Sequence, residues 1–207
     1  MKKGLLIALS IVAFVIIVIL SVVGWGVKKY NAFVGLNEGV NQSWSQVENV
    51  YQRRSDLIPN LVATVKGVAN FEKETYTAVT EARAKVGQVK LSSEQLSDPE
   101  AFQRFQRAQD GLSGALSRLM VVSENYPQLK ADANFRQLQS DLSDIENKIA
   151  AARRYFNNAT NEYNTSIQQF PAVLLARPLG FKEESFFEVD ASEQQAVKTA
   201  PKVGFGG

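Results

Sequence analysis

Cysteine and histidine are both absent from the 207-residue chain. Their absence removes disulfides, thiol nucleophiles, imidazole bases and the common Cys/His zinc sites, and a chain without cysteine fits either side of a bacterial inner membrane. A dominant charge sign is lacking too. The formal net charge is +2, with acids and bases interspersed along the chain, whereas a nucleic-acid footprint needs a one-sided basic patch, so nucleic acid is not an expected partner. Between Gly4 and Val27 no charged residue occurs at all. The core of that run, LLIALSIVAFVIIVILSVVGW, is long enough to span a bilayer. A cleaved signal peptide would have a shorter apolar region followed by an A-x-A-like site, which this sequence does not show. An uncleaved anchor over residues 1–29 is expected, with the lipid bilayer as partner and Trp25 and Tyr30 at the interface. Lys2 and Lys3 on one flank balance Lys28 and Lys29 on the other, so the positive-inside rule does not choose a side for the remaining chain.

Beyond the anchor, the stretch from Phe135 to Phe170 organises the sequence. Phe135, Leu138, Leu142, Ile145, Ile149, Ala152, Phe156, Ala159, Tyr163, Ile167 and Phe170 are spaced three and four apart, the stripe of one long amphipathic helix. At about 1.5 Å per residue this helix would span about 54 Å, and other helices must cover its stripe. The expected fold is therefore all-α: an N-terminal transmembrane helix, then an elongated antiparallel bundle of three long helices plus a short C-terminal segment, over residues 30–188. The first bundle helix is expected to run in one segment from Tyr30 to Val86, through Trp44, Val47, Val50, Leu57, Leu61 and Val65. Pro59 either kinks that segment or ends it, with Asp56 capping a restart; in either case the carbonyl of Ser55 loses its donor. Asp98 and Pro99 announce a second helix carrying Phe102, Phe105, Leu112, Leu116, Leu119 and Val122. Within it Gly111 and Gly114 suggest the close approach of a neighbour. Tyr126 and Pro127 end it, and Asp132 or Asn134 caps the next. AVLLARPLGF folds back to cap the core or to touch a partner or the membrane. Residues 189–207 lack periodicity and are expected to be disordered.

Candidate chemistry is thin. Glu48 with Gln52 and Arg53, or Glu146 with Arg153 and Arg154, could pair an acid with activating cations, but such charges on long helices more commonly face solvent or form ion pairs. Gly111-Leu112-Ser113-Gly114 lacks the spacing of a nucleophile elbow, and Asp141, Asp144 and Glu146 form no EF-hand loop. No catalytic, cofactor-binding or metal-binding residue is assigned. Two readings stay open for Asn157, Asn161 and Asn164, and for Asn31, Asn37 and Asn41: a polar network that fixes helix register, or plain solvation. Phe33, Val34, Leu36, Val62, Phe71 and Tyr76 give the first helix more apolar surface than one seam needs, which suggests a homo-oligomer; Gly4 and Ala8 form a small-xxx-small pair that could assist within the bilayer.

Two stretches carry a family resemblance. Trp44-Ser45-Gln46-Val47-Glu48-Asn49, Gln52-Arg53-Arg54, Asp56-Leu57-Ile58-Pro59-Asn60-Leu61-Val62 and Thr64-Val65-Lys66-Gly67 form the first. The second comprises Glu124-Asn125-Tyr126-Pro127-Gln128-Leu129-Lys130, Asn134-Phe135, Leu138-Gln139, Glu146-Asn147, Ile149-Ala150, Ala152-Arg153-Arg154, Tyr163-Asn164, Phe170-Pro171 and Gly180-Phe181. Together they resemble the LemA family from Tyr30 to Phe187; Phe156 departs from the tyrosine usual there. The resemblance implies a single-pass protein of the bacterial inner membrane with a short amino terminus outside the cytoplasm, and no enzyme activity. It gives structural or interaction roles to Trp44, Glu48, Arg53, Arg54, Asp56, Pro59, Asn60, Tyr126, Pro127, Glu146, Arg153, Arg154, Tyr163, Asn164, Phe170 and Pro171. The function expected is a self-associating envelope scaffold; the alternative is an adaptor that passes envelope stress to a membrane protease or sensor kinase, and so has an envelope protein partner.

Overall fold

The computed structural model describes residues 2–68 and 71–188; the tail expected to be disordered lies outside them. Helix α1 runs without interruption over Lys2–Lys66. It is the one helix among the described residues long and apolar enough to cross a membrane, and its side chains from Ile11 to Val23 project into open space. Then follow α2 (Lys73–Gln88), a short turn of 3-10 helix at Ser93–Gln95, α3 (Pro99–Ser123), α4 (Pro127–Ala131), α5 (Ala133–Gln168), α6 (Val173–Ala176) and an extended C-terminal strap over residues 181–188.

The all-α architecture is as expected, and α5 packs antiparallel along α1, while α2 runs back along α3. The first bundle segment, however, is two helices rather than one. Lys66 in the last turn and Gly67 just beyond it form an ordinary helix stop, with the Gly67 N–H donating to the carbonyls of Ala63 and Thr64. Val68 and Phe71 keep the apolar frequency high across the break, which masks it in the sequence; Phe71 is buried against the ring of Tyr126, 4.8 Å away. Pro59 lies inside α1, which continues through it. The carbonyl that the proline leaves without its helical donor is that of Ser55, and Arg83 Nε of α2 donates to it at 3.0 Å. A neighbouring helix thus restores the bond that the proline ring removes.

Asp98 caps α3 by accepting from the N–H groups of Glu100 and Ala101, and Asp132 caps α5 by accepting from Phe135 N–H. Gly111 and Gly114 do not serve close packing: a Cβ at either would meet nothing within 4 Å. The α5 stripe is buried as read, with two corrections. Thr160 is fully buried where Ala159 was expected to lead, and Phe170 is 81 % exposed because α5 ends at Gln168 and the chain turns away. On α1 the inward face runs through Tyr51, Arg54 and Ile58, so Val50 and Leu57 sit at its flank.

Ile149 is buried on α5 and Lys148 faces solvent. Ile149→Ala should lower stability by about 2–3 kcal/mol, toward the lower end of the range for such truncations because the neighbouring groove lets the site relax, while Lys148→Ala should stay within about 0.5 kcal/mol. Denaturant midpoints of the detergent-solubilised protein measure both, and equal midpoints would contradict this packing.

Candidate functional site

The apolar interior falls into two clusters. The lower one, nearer the apolar N-terminal part of α1, surrounds Trp44; the upper one surrounds Ile58, Leu112 and Phe135. Between them Arg54 takes a position in phase with the apolar stripe of α1, as Gln109 does on α3. Burying a guanidinium is tolerable only when its donors are satisfied. Arg54 is fully buried, and its two terminal nitrogens are satisfied: Nη1 donates to Ser113 Oγ at 2.6 Å and Glu146 Oε1 at 2.9 Å, and Nη2 to Gln109 Oε1 at 2.6 Å, while Nε is buried with no hydrogen-bond partner. Its guanidinium also lies 5.0 Å from the centre of the Tyr51 ring. One turn away, Arg153 Nε donates to the Tyr51 hydroxyl at 2.5 Å and Nη2 to Asp110 Oδ1 at 2.9 Å. Burial pushes the Tyr51 hydroxyl up, so it stays protonated as an acceptor for Arg153. The result is a polar layer that ties α1, α3 and α5 together at one height.

The layer opens to solvent through a groove of about 360 Å³ between α3 and α5, lined by Asp110, Ser113, Glu146, Arg153, Arg154 and the strap residue Phe187, among others. The strap closes one end. Asn157 and Asn164 hold it by pairing with the backbone of Phe187 and Glu184: each Nδ2 donates to a carbonyl and each Oδ1 accepts from an N–H, all at 2.9 Å. Gln106 pairs with the backbone of Glu188 in the same way. These two asparagines therefore belong to a network, although it joins α5 to the strap rather than helix to helix; Asn161 and Asn31 are exposed.

The family-derived residues divide accordingly. Trp44, Arg54, Glu146 and Arg153 converge on the interior, and Trp44 Nε1 donates to the carbonyl of Leu91. Tyr163 and Asn164 meet the strap. Arg154 stands on the groove rim. Glu48 and Arg53 are exposed, desolvation raising the Glu48 carboxyl above its ordinary value; Asp56 accepts from Gln52 rather than bonding Arg53. Pro59 and Asn60 face outward, the Asn60 carbonyl accepting from Thr64. Tyr126 and Pro127 form the α3–α4 turn, and Phe170 with Pro171 lies exposed below α5. Glu146, read as a partner for Arg153 and Arg154, pairs with Arg54 instead. Sequence reading missed Tyr51, Gln109, Asp110 and Phe187. For Gln109 the signal was present: a glutamine in register with Phe102, Phe105, Leu112 and Leu116.

Glu184 titrates unusually. Desolvation on the strap pushes its carboxyl up to about 7, and the adjoining Tyr163 hydroxyl goes up to about 12, from burial first and the Glu184 charge second. A carboxyl raised in the fold contributes stability that is present below its unfolded value of 4.5 and is lost as pH rises through about 7. Stability should therefore fall by about 1 kcal/mol between acid and mildly alkaline pH after discounting for solvent screening, and Glu184→Gln should flatten that profile. Unfolding curves across this range check it; an unchanged slope in the variant would contradict the assignment.

An all-α bundle built directly on a helix able to cross a membrane, with a polar layer tying α1, α3 and α5 together, defines a class of membrane-associated helical proteins. The LemA family pattern matches residues 43–205, and the chain belongs to the LemA family. It is 30 % identical to the magnetosome protein MamQ of Magnetospirillum gryphiswaldense, covering 86 % of this chain and 69 % of that one. It is 29 % identical to magnetosome protein MamQ 2 of Paramagnetospirillum magneticum, covering 87 % and 69 %, and 24 % identical to protein LemA of Metamycoplasma hominis, covering 83 % and 77 %.

Proposed function

We propose that this protein is a non-enzymatic scaffold of the bacterial cell envelope, anchored by one crossing of the inner membrane and self-associating there. The observation that carries this is the continuity of α1, a 65-residue helix with no linker between its apolar run and the bundle. A helix continuing from Lys28 to Lys66 holds the bundle's far end about 57 Å above the anchor, at a set height and orientation. The polar layer supports the same reading, because Arg54 and Arg153 are consumed by structural bonds rather than aimed at a reacting atom. Relatives named for a magnetosome and one named only LemA fit a common architectural role better than a common reaction.

The apolar residues expected to seek a second copy are mostly covered by the chain itself. Phe33, Val62 and Phe71 are buried, Leu36 and Tyr76 pack against the core, and Val34 alone stays exposed. Self-association therefore rests on the anchor, which confines copies to two dimensions and raises their effective concentration. The open α3–α5 groove favours the second reading, an adaptor for a signalling protease or kinase. Crosslinking in native membranes, with native mass in mild detergent, decides: a scaffold links mainly to itself, an adaptor to a different protein. A monomer at every concentration would remove the scaffold.

A further inference from the structure

The turn that joins α5 to the strap carries large apolar side chains that the fold leaves uncovered. Phe170 is 81 % exposed, Leu174 65 % and Leu179 50 %, although Ala172 and Ala176 beside them are buried. The turn is well built: Gly180 takes the left-handed conformation with φ of +83°, and Phe181 packs edge-on against Phe33 and Tyr30 of α1, with ring centres 5.2 and 5.8 Å apart. Its position on α1 is fixed further down by Leu175, whose Cδ1 lies 3.8 Å from where a Cβ would stand on Gly26. Gly26 is one residue short of the end of the uncharged run. About 20 helical residues fill the hydrocarbon core of a bilayer, so Gly26 and the turn beside it stand at the headgroup layer.

Charge agrees with that level. Between Phe170 and Lys182 the only charged residues are Arg177 and Lys182; on α1 the matching charges are Lys28 and Lys29, and the first carboxylate after them is Glu38. Arg177, Lys182 and Lys28 are exposed. Apolar side chains beside these cations, with the first acids, Glu183 and Glu184, only beyond Lys182 at the start of the strap, suit the boundary between acyl chains and lipid phosphates. Continuity with the lipid-facing surface of α1 identifies the occupant as the same bilayer.

We infer that the turn from Phe170 to Lys182 is a second membrane contact, a foot whose Phe170, Leu174 and Leu179 enter the interfacial layer while Arg177 and Lys182 meet anionic headgroups. This rests on α1 crossing that bilayer. With the foot seated on one side, α1 can neither tilt freely nor rotate, and the bundle is held upright.

The native chain has no cysteine, so single labels can be placed without background. Full-length protein carrying a fluorophore on Leu174→Cys, Ile16→Cys or Tyr155→Cys is reconstituted into phosphatidylcholine–phosphatidylglycerol vesicles with lipids brominated either near the glycerol end or near the chain end of the acyl group. The expected result is loss of emission at position 174 with shallow bromines, loss at 16 with deep bromines, and none at 155. Quenching at 16 without quenching at 174 overturns the foot and leaves the anchor standing. No quenching at 16 overturns the anchor and the foot together. Efficient disulfide formation between unlabelled Leu174→Cys copies under a mild oxidant, with no lipid quenching of the labelled protein, assigns the surface to a second copy and also overturns it.

Discussion

Trp44→Ala should lower stability by about 3–5 kcal/mol, the range for removing a large aromatic from a packed interior. The indole is 1 % exposed, and its ring lies 5.2 Å from Phe105 of α3, 5.5 Å from Phe156 of α5 and 6.2 Å from Phe187 of the strap. Three separate elements converge on this side chain, so no single movement can close the cavity it would leave. Its Nε1 also donates to the Leu91 carbonyl at 3.3 Å, which helps fix the connection between α2 and α3. Trp44→Phe keeps most of the area and should recover most of the loss. Thermal or denaturant unfolding in detergent measures both; an alanine variant within about 1 kcal/mol of the parent would show that the lower cluster can collapse, contrary to close packing.

This aromatic cluster shows how far the sequence could be read. The α5 stripe was legible because its spacing is unbroken and, apart from Thr160 and Asn164, its polar residues stay on the other face, and Trp44 was legible because it is in phase with Phe33, Val40 and Val47. The turn at Gly67 was not, because Val68 and Phe71 supply apolar residues at nearly helical spacing on both sides of the stop. Periodicity counts side chains and does not see that the chain has reversed. The inward face of α1 was misjudged for a related reason. Arg54 occupies a core position, and a reading that follows only apolar residues steps around it to Val50 and Leu57. The strap was invisible to periodicity altogether, because backbone groups, held by Asn157 and Asn164, make most of its bonds. Phe170 carries the stripe's spacing one step past the end of the helix.

Arg54, the buried arginine that apolar periodicity steps around, matters as much as Trp44. Arg54→Ala should lower stability by about 3–5 kcal/mol, since it empties a buried volume and leaves Gln109, Ser113 and Glu146 without their shared donor. Arg54→Met should cost distinctly less. It refills much of the space of the arginine stem, and it removes the desolvation penalty of a guanidinium at 0 % exposure, so that Gln109 and Ser113 are left wanting while the 44 % exposed Glu146 carboxylate is solvated from the groove. Gln109→Leu alone should cost about 1.5–3 kcal/mol, because a charged donor loses its 2.6 Å acceptor in the interior. Combined with Arg54→Met it should cost less than the sum of the two, by about 1 kcal/mol or more, since each change removes the unsatisfied group that the other creates. Glu146 should matter less: its side chain is 44 % exposed, and water entering the groove can replace one of its bonds to Arg54, so Glu146→Gln should cost about 1 kcal/mol or below. A double-mutant cycle by denaturant unfolding reads all of these. Strict additivity between Arg54 and Gln109 would mean that they are not coupled across α1 and α3. If the apolar pair proves as stable as the parent, the polar layer is retained for helix register rather than for stability, because two apolar clusters with nothing distinctive between them could slide past one another by a turn.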